Sequence, residues 1–303
     1  MNKVDIVLAL YNGEKFLKEQ LNSLYNQTYK NFNLIIIDDS SQDRSSLIIE
    51  EFQKKYNNIR YVRNDINMGH VKSFEKGLQL STNNFIAFCD QDDIWEKNKL
   101  ELQVNILKNY KNIPALVHSD LSMINENGDT IGDSYFKFRN YILSEKKELN
   151  KIISQNGIMG NTLMINKQLK ELVLPFPRDV IVHDYWIAVI NEIFGKRITL
   201  KNKLVRYRIH DSNSSNSKSN IFNNDSKFSK RLPYRNIKRE KVLEELLKKY
   251  DIPYGDKKII KIFLEYLYFN KNRFKIYFNL IKYDMLKQNF LYRVKILFKM
   301  LWQ

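Results

Sequence analysis

Short apolar runs bounded by polar or turn residues recur through the first 120 residues, at 4–10 (VDIVLAL), 34–37 (LIII), 59–62 (IRYV), 85–89 (FIAFC) and 115–118 (ALVH). Runs that brief predict buried strands. Between them, 14–25, 44–56 and 71–80 carry Phe16, Leu17, Leu21 and Leu24, then Leu47, Ile48 and Phe52, then Val71, Phe74 and Leu78, at helical spacing. Strand and helix alternating this often predict an α/β fold, a mostly parallel sheet flanked by helices on both faces. Ligands of such sheets bind beyond the carboxyl ends of the strands. The residues there are Tyr11 and Asn12 after the first run, Asp38 and Asp39 after the second, and Asp90 to Asp93 after the fourth.

Past residue 120 the pattern weakens. ENGD (126–129) signals a turn, NGIMGNTLMI (156–165) is glycine-bearing, Pro175 and Pro177 follow, and VHDYWIAVI (182–190) opens as a helix would. The Ser/Asn-rich run HDSNSSNSKSNIFNNDS (210–226) reads as a linker or mobile loop. Beyond it, 259–269 and 290–302 look helical, the latter with Phe290, Leu291, Val294, Leu297, Phe298 and Leu301 in one stripe. The expected organisation is a catalytic domain over 1–215 and a linker with a basic helical C-terminal region over 216–303.

Charge sharpens that division. The formal net charge is +16, and residues 221–303 hold 20 Lys and Arg against 8 Asp and Glu, so most of the surplus lies in this last stretch. A basic, aromatic region of this kind suits packing on the catalytic domain, an anionic membrane or nucleic acid, and charge alone does not choose. The single cysteine, Cys89, sits in an apolar run and reads as a small core residue in a reducing cytoplasm. Neither a leader pattern nor an apolar run of about 18 residues appears, so no spanning helix is expected.

The acidic clusters IIIDDSSQD (35–43) and CDQDDIW (89–95) carry the chemistry. For the first, a plain alternative is that Asp39 or Ser40 caps the helix starting near Arg44. In the second, Asp90 and Asp92 alternate, so on an extended segment both side chains point to one side and repel. A hard divalent cation, Mn²⁺ or Mg²⁺, relieves that repulsion with only one or two carboxylates when phosphates supply the remaining ligands. That donor set fits a nucleotide diphosphate. No GxGxxG, GxxxxGK[ST] or GxSxG occurs, which weighs against dinucleotide oxidoreductases, P-loop NTPases and α/β-hydrolases.

Together LALYNGEKFL (8–17), IIIDDSSQD, CDQDDIW, HDYW (183–186) and RYRIHDSN (206–213) resemble the family 2 nucleotide-sugar glycosyltransferases of the GT-A fold, over roughly 1–215. The DQDDIW and HDYW forms look most like bacterial rhamnosyltransferases that build surface polysaccharide. The resemblance implies an inverting transfer from a UDP- or dTDP-sugar, dTDP-rhamnose among them, to a glycan or lipid-linked saccharide. It places Leu10, Tyr11, Asn12, Asp39, Asp90, Gln91 and Asp92 on the nucleotide sugar, with Asp39 accepting from the base N3–H. Asp92, Asp90 and His210 fall to the metal, and Asp184 to the general base. Asn161, Thr162, His183 and Trp186 line the acceptor side, and either Tyr185 or Trp186 stacks on a sugar while the other fills the core. For Asp184 the bland alternative is a helix N-cap; for Asp93, support of its neighbours and capping of a helix near Trp95 stay open. The expected place is the cytoplasm or, peripherally, the inner face of the cytoplasmic membrane, with no nucleic-acid partner. The rivals are a sugar-1-phosphate nucleotidyltransferase and a non-catalytic nucleotide or nucleic-acid binding module. The first should carry a Gly-rich basic loop after the first strand, where ALYNGEKFL has one Gly.

Overall fold

The computed structural model describes residues 2–141, 144–211, 237–268, 272–286, 293–294 and 296–298. Four strands follow the first four apolar runs: β1 (Val4–Leu10), β2 (Phe32–Asp38), β3 (Ile59–Arg63) and β4 (Phe85–Cys89). The intervening amphipathic stretches form α1 (Leu17–Tyr25), α2 (Ser45–Gln53) and α3 (His70–Leu80). There follow β5 (Ile94–Trp95), α4 (Lys99–Leu107), β6 (Ala115–Ile124), β7 (Thr130–Gly132), α5 (Tyr135–Arg139), α6 (Leu149–Gln155), a 3₁₀ turn (Gly160–Thr162) and β8 (Met164–Asn166). Next come α7 (Lys167–Val173), α8 (His183–Phe194), β9 (Lys196–Arg208), α9 (Ile237–Lys249), α10 (Tyr254–Leu267) and α11 (Arg273–Lys282).

The strands form one sheet in the order β3-β2-β1-β4-β8-β6-β9-β5, with β7 paired to β6. β3, β2, β1 and β4 are mutually parallel, as are β6 and β9; β8 runs against β4 and β6, and β5 against β9. In the register Leu10 lies opposite Asp38 and Leu8 opposite Cys89. The chain therefore leaves β1, β2 and β4 at one edge, which brings Tyr11, Asp39 and Asp90 together.

Alternation along each strand feeds two cores. Ile6, Leu8, Phe85 and Ala87 pack with α1, α2 and α4 on one face, while Val7, Ile86 and Phe88 pack with α3 and α6–α8 on the other. On that second face α3 lies so close to β1 that a Cβ on Gly77 would sit 2.2 Å from Val7 Cγ1. Any larger residue there would push the helix off the sheet.

Val242, Leu243, Leu246, Ile260, Phe263 and Leu280 of α9–α11 belong to the same core as Trp186 and Ile187 of α8. Lys147 pairs with Asp256 at 2.5 Å, and the Tyr250 hydroxyl donates to Leu172 O at 2.7 Å. The C-terminal helices thus close the apolar surface of α8 and its neighbours. The linker expected over 210–226 lies outside the described residues beyond Asp211, as do Phe290, Leu291 and Leu301 of the stripe expected over 290–302.

Candidate active site

Leu10, Tyr11, Asp39, Asp90, Gln91, Asp92, His183 and Asp184 all line one cleft of about 510 Å³ at the carboxyl edge of the sheet. The two acidic clusters meet different surroundings there. Asp38 is buried beneath the surface, accepting from Ser41 N at 2.8 Å and the Tyr61 hydroxyl at 2.6 Å. Asp39 accepts from Asn64 Nδ2 at 2.8 Å, Met68 N at 2.9 Å and Gly69 N at 2.7 Å, which ties the loop before α3 to the end of β2. Neither Asp39 nor Ser40 caps α2; Asp43 Oδ1 accepts from Ser45 N at 3.0 Å instead. A carboxylate offers about four acceptor positions, so Asp39 keeps roughly one for a ligand.

The Asp90 carboxylate has no hydrogen-bond donor among the described residues. Burial, then the carboxylates of Asp92 and Asp184, raise its pKa to about 7. Like charges gathered in a low-dielectric cleft without a counter-ion favour protonation or a bound cation. The Asp92 carboxylate is oriented by His210, whose Nε2 lies 2.8 Å from Oδ2, while Arg208 Nε donates to the Asp92 carbonyl at 2.9 Å. Among the described residues no three His, Cys, Asp or Glu side chains form a ready metal cage. Two carboxylates of this kind fit a hard divalent cation whose remaining ligands come from phosphate or water. Between them, Gln91 grips the end of β1: its Oε1 accepts from Tyr11 N at 2.7 Å and its Nε2 donates to Tyr11 O at 3.0 Å.

Asp184 is the second residue of α8, whose N-cap is Val182, so the capping alternative does not hold. Asp184 accepts from Asn156 Nδ2 and Gly160 N, both at 3.1 Å. Burial raises its pKa to about 6, against the lowering effect of these bonds and of the Tyr185 amide. The adjacent His183 ring packs tilted against Phe74 with centroids 3.9 Å apart, and burial, helped by His70, lowers its pKa to about 3, so it stays neutral.

Several expected contacts lie elsewhere. Trp186 is fully buried with Nε1 donating to Val173 O at 2.9 Å, and Tyr185 donates to Ile153 O at 3.1 Å, so both fill the core and neither stacks on a sugar. Residues two apart on a helix diverge by about 200°; with Asp184 facing the cleft, Trp186 faces away from it. Asn161 donates to Asp93 Oδ2 at 2.5 Å and the Thr162 hydroxyl to Met159 O at 2.8 Å, both buried beneath the cleft floor and not on the acceptor side. Asn12, at φ +49°, spends its side chain on Gln42 N at 2.8 Å, and His210 lies behind Asp92; neither lines the cleft. Asp93 is fully buried and accepts from Asn161 and from Arg208 N at 3.0 Å. The helix near Trp95 begins only at Lys99, so Asp93 supports its neighbours. Tyr135, Arg139, Asn156 and Met159 line the cleft beyond Asp184; they come from short elements without periodic signal, and only the glycine-bearing stretch hinted at the last two.

The model of glycosyl transferase family 2 matches residues 5–171, more than half of the chain. The chain belongs to glycosyl transferase family 2. It is 31% identical over 211 residues to an uncharacterized glycosyltransferase of Methanocaldococcus jannaschii, covering 68% of this chain and 70% of that one. It is 28% identical over 218 residues to the Escherichia coli UDP-Glc:alpha-D-GlcNAc-diphosphoundecaprenol beta-1,3-glucosyltransferase WfgD, covering 71% and 80%. In fold it resembles Staphylococcus aureus TarS 1–349 in complex with UDP-GlcNAc, at TM-score 0.64 and 20% identity over 87% of this chain and 72% of that one. A mannosyltransferase of Pyrobaculum calidifontis in complex with GDP-Man and Mn²⁺ gives TM-score 0.59 at 15% identity, covering 99% and 87%. This family 2 glycosyltransferase therefore has the GT-A arrangement, a mostly parallel sheet flanked by helices with a helical C-terminal region.

Proposed function

We propose that the chain transfers a sugar, with inversion, from a pyrimidine nucleotide donor (UDP- or dTDP-sugar) to a hydroxyl of a lipid-linked or growing surface glycan. The observation that carries this is the convergence of Asp39, Asp90, Asp92 and Asp184 on one cleft at the strand ends. The remaining acceptor position of Asp39 takes the base N3–H, which uracil and thymine share and guanine does not offer in that pattern. Tyr11, 46% exposed at the rim, offers a face for the base.

Asp90 and Asp92 would hold Mn²⁺ or Mg²⁺, with His210 orienting Asp92. The cation's contribution is to neutralise the charge that grows on the departing diphosphate. Asp184, made more basic by burial, takes the acceptor proton as the acceptor oxygen bonds to the anomeric carbon and the bond to the diphosphate breaks. The Asn156 and Gly160 donors hold its oxygens in place and stabilise the charged form between turnovers. Inversion follows from attack on the face opposite the leaving group. Arg139 and Tyr135, beyond Asp184, are the acceptor-side groups in place of Asn161, Thr162 and Trp186. Family membership argues against the nucleotidyltransferase and the non-catalytic module.

A second surface bears on where the acceptor is met. On α11, Phe274 and Phe278 are 56% and 64% exposed one turn apart, and the charged residues of that helix are Arg273, Lys275 and Lys282, with no acid. An apolar pair ringed by cations suits an anionic membrane surface, where each basic residue contributes about 1 kcal/mol. Among the described residues no helix is long and apolar enough to cross a membrane. The E. coli relative's diphosphoundecaprenol-borne acceptor supports this peripheral placement.

The test is a panel of UDP-, dTDP- and GDP-sugars with Mn²⁺, Mg²⁺ or chelator, read by thermal shift and by slow nucleotide release. A metal-dependent shift with one pyrimidine sugar is expected, since a ligand of the folded state raises stability by mass action. Binding of GDP-sugars alone would overturn the donor assignment, and consumption of a nucleoside triphosphate would restore the nucleotidyltransferase.

A further inference from the structure

Asp93 and Asn161 lie below the cleft, 0% and 1% exposed, and neither lines it. Their side chains meet at 2.5 Å, Asn161 Nδ2 donating to Asp93 Oδ2. Each residue is one step from a group that faces the cleft: Asp93 follows Asp92 in the chain, and Asn161 follows Gly160, whose amide donates to Asp184 Oδ2 at 3.1 Å. The other oxygen of Asp93 accepts from Arg208 N at 3.0 Å, and Arg208 Nε returns to the Asp92 carbonyl at 2.9 Å. From beneath, Gln103 Nε2 donates to the Thr162 carbonyl at 2.7 Å, while its Oε1 accepts from the fully buried Lys99 at 3.0 Å. The 3₁₀ turn is thus fixed by α4 below and by Asp93 at its side. Asp93 itself joins three segments that are far apart in sequence.

We infer that the Asp93–Asn161 bond is the joint that sets the distance and orientation of the base Asp184 relative to the donor-holding pair Asp90 and Asp92, which makes Asp93 and Asn161 positioning residues for the transfer. This rests on the glycosyl-transfer reading above. The physical case is one of path length. From Asp92 to Asp184 the chain runs through most of the second half of the sheet, whereas through the joint the route is one peptide, one side-chain hydrogen bond, one peptide and the Gly160 amide. Misplacing a reacting group by about 1 Å can cost about 10²-fold in rate. A buried, short route limits such drift. Gly160 fits the same design, since a Cβ there would lie 2.6 Å from His183 Nε2 and would force the turn away from α8.

The experiment is a cycle of Asn161→Ala, Asn161→Asp, Asp93→Asn and the Asn161→Asp/Asp93→Asn pair in the full chain, each checked for cooperative unfolding. Asn161→Ala is expected to lower kcat about 10- to 100-fold with the nucleotide-sugar Kd within about threefold. Asn161→Asp replaces the amide donor by a second acid and should fall at least as far, whereas the paired exchange restores a donor and an acceptor and recovers at least tenfold of that loss; recovery of this kind is the signature of direct coupling. A readout independent of turnover is amide deuterium exchange over 159–163. It should speed in Asn161→Ala and slow again in the pair, even if no donor in the panel is turned over, which separates this inference from the donor assignment. Unchanged exchange over 159–163 in Asn161→Ala, turnover within twofold of the parent, or a paired exchange no better than Asn161→Asp would each overturn the joint.

Discussion

Asp39 and Asp90 leave the parallel strands on either side of β1 at the same edge of the sheet, yet their surroundings are opposite. Three donors hold Asp39, two of them backbone amides, whereas Asp90 has none among the described residues and faces two other carboxylates. The first carboxylate is part of the fold and lends what is left of it to a ligand. The second is a cost to the fold that only a ligand offsets. A half-buried acid facing two others, its carboxylate without a donor among the described residues, is disfavoured as an anion in an unligated protein, so its presence points to what the cleft is built to receive.

The largest effect should come from the third carboxylate, which lies between these extremes with two donors on it. Asp184→Asn should lower turnover about 10²- to 10⁴-fold while leaving nucleotide-sugar affinity unchanged by titration calorimetry; undiminished turnover would remove Asp184 from the chemistry. The contrast itself is tested by a pair of isosteric changes. Asp39→Asn turns an NH₂ towards a backbone N–H and should cost about 1–3 kcal/mol in denaturant unfolding. Asp90→Asn should leave the metal-free protein as stable or more stable, and abolish the stabilisation by Mn²⁺ with nucleotide. If both variants lose stability alike, the two sites do not differ as described.

The same contrast fixes a sign with pH. Asp90 and Asp184 are more basic in the folded state, at about 7 and about 6, than an unfolded aspartate at about 3.9. The native state therefore binds the extra protons, and their contribution to stability falls as pH rises from about 4 to about 7. Metal-free protein should show that loss, and Asp90→Asn a shallower one, in thermal unfolding across the range. With metal and donor supplied, activity should run the other way and rise through pH ~6 as Asp184 ionises. The smallest effect is at the far end of the molecule. Phe274→Ser with Phe278→Ser should weaken sedimentation with phosphatidylglycerol vesicles severalfold at low salt, with turnover of a soluble acceptor unchanged, and salt should release the parent protein.

The first four strands and three helices were legible because short, bounded apolar runs and a period of 3.6 are all they require. The apolar run of β6 ends at His118, whereas the strand continues to Ile124 through SDLSMI, where Ser119, Asp120 and Ser122 break the apolar run although all lie within the sheet. The carboxylates were legible by position, since strand ends in a parallel sheet are where ligands go. Direction was not. Asn161 and Thr162 sit next to cleft-lining Gly160 but turn inward, because a 3₁₀ turn rotates each successive side chain by about 120°. Trp186 could have been excluded from the sequence alone by its two-residue offset from Asp184. Tyr135 and Arg139 had no such cue, as a five-residue helix is too short to show a pattern.

Gln91 sits between Asp90 and Asp92 and holds both the N–H and the C=O of Tyr11, in the way an adjoining strand would. Through that grip, the segment that would meet the base and the segment that would meet the diphosphate share a boundary. Any ordering of one segment by its part of the donor must lower the cost of ordering the other. The two half-ligands, nucleoside and metal-bound diphosphate, should then bind with a reciprocal coupling free energy, and a whole donor should be gripped more tightly than its halves predict.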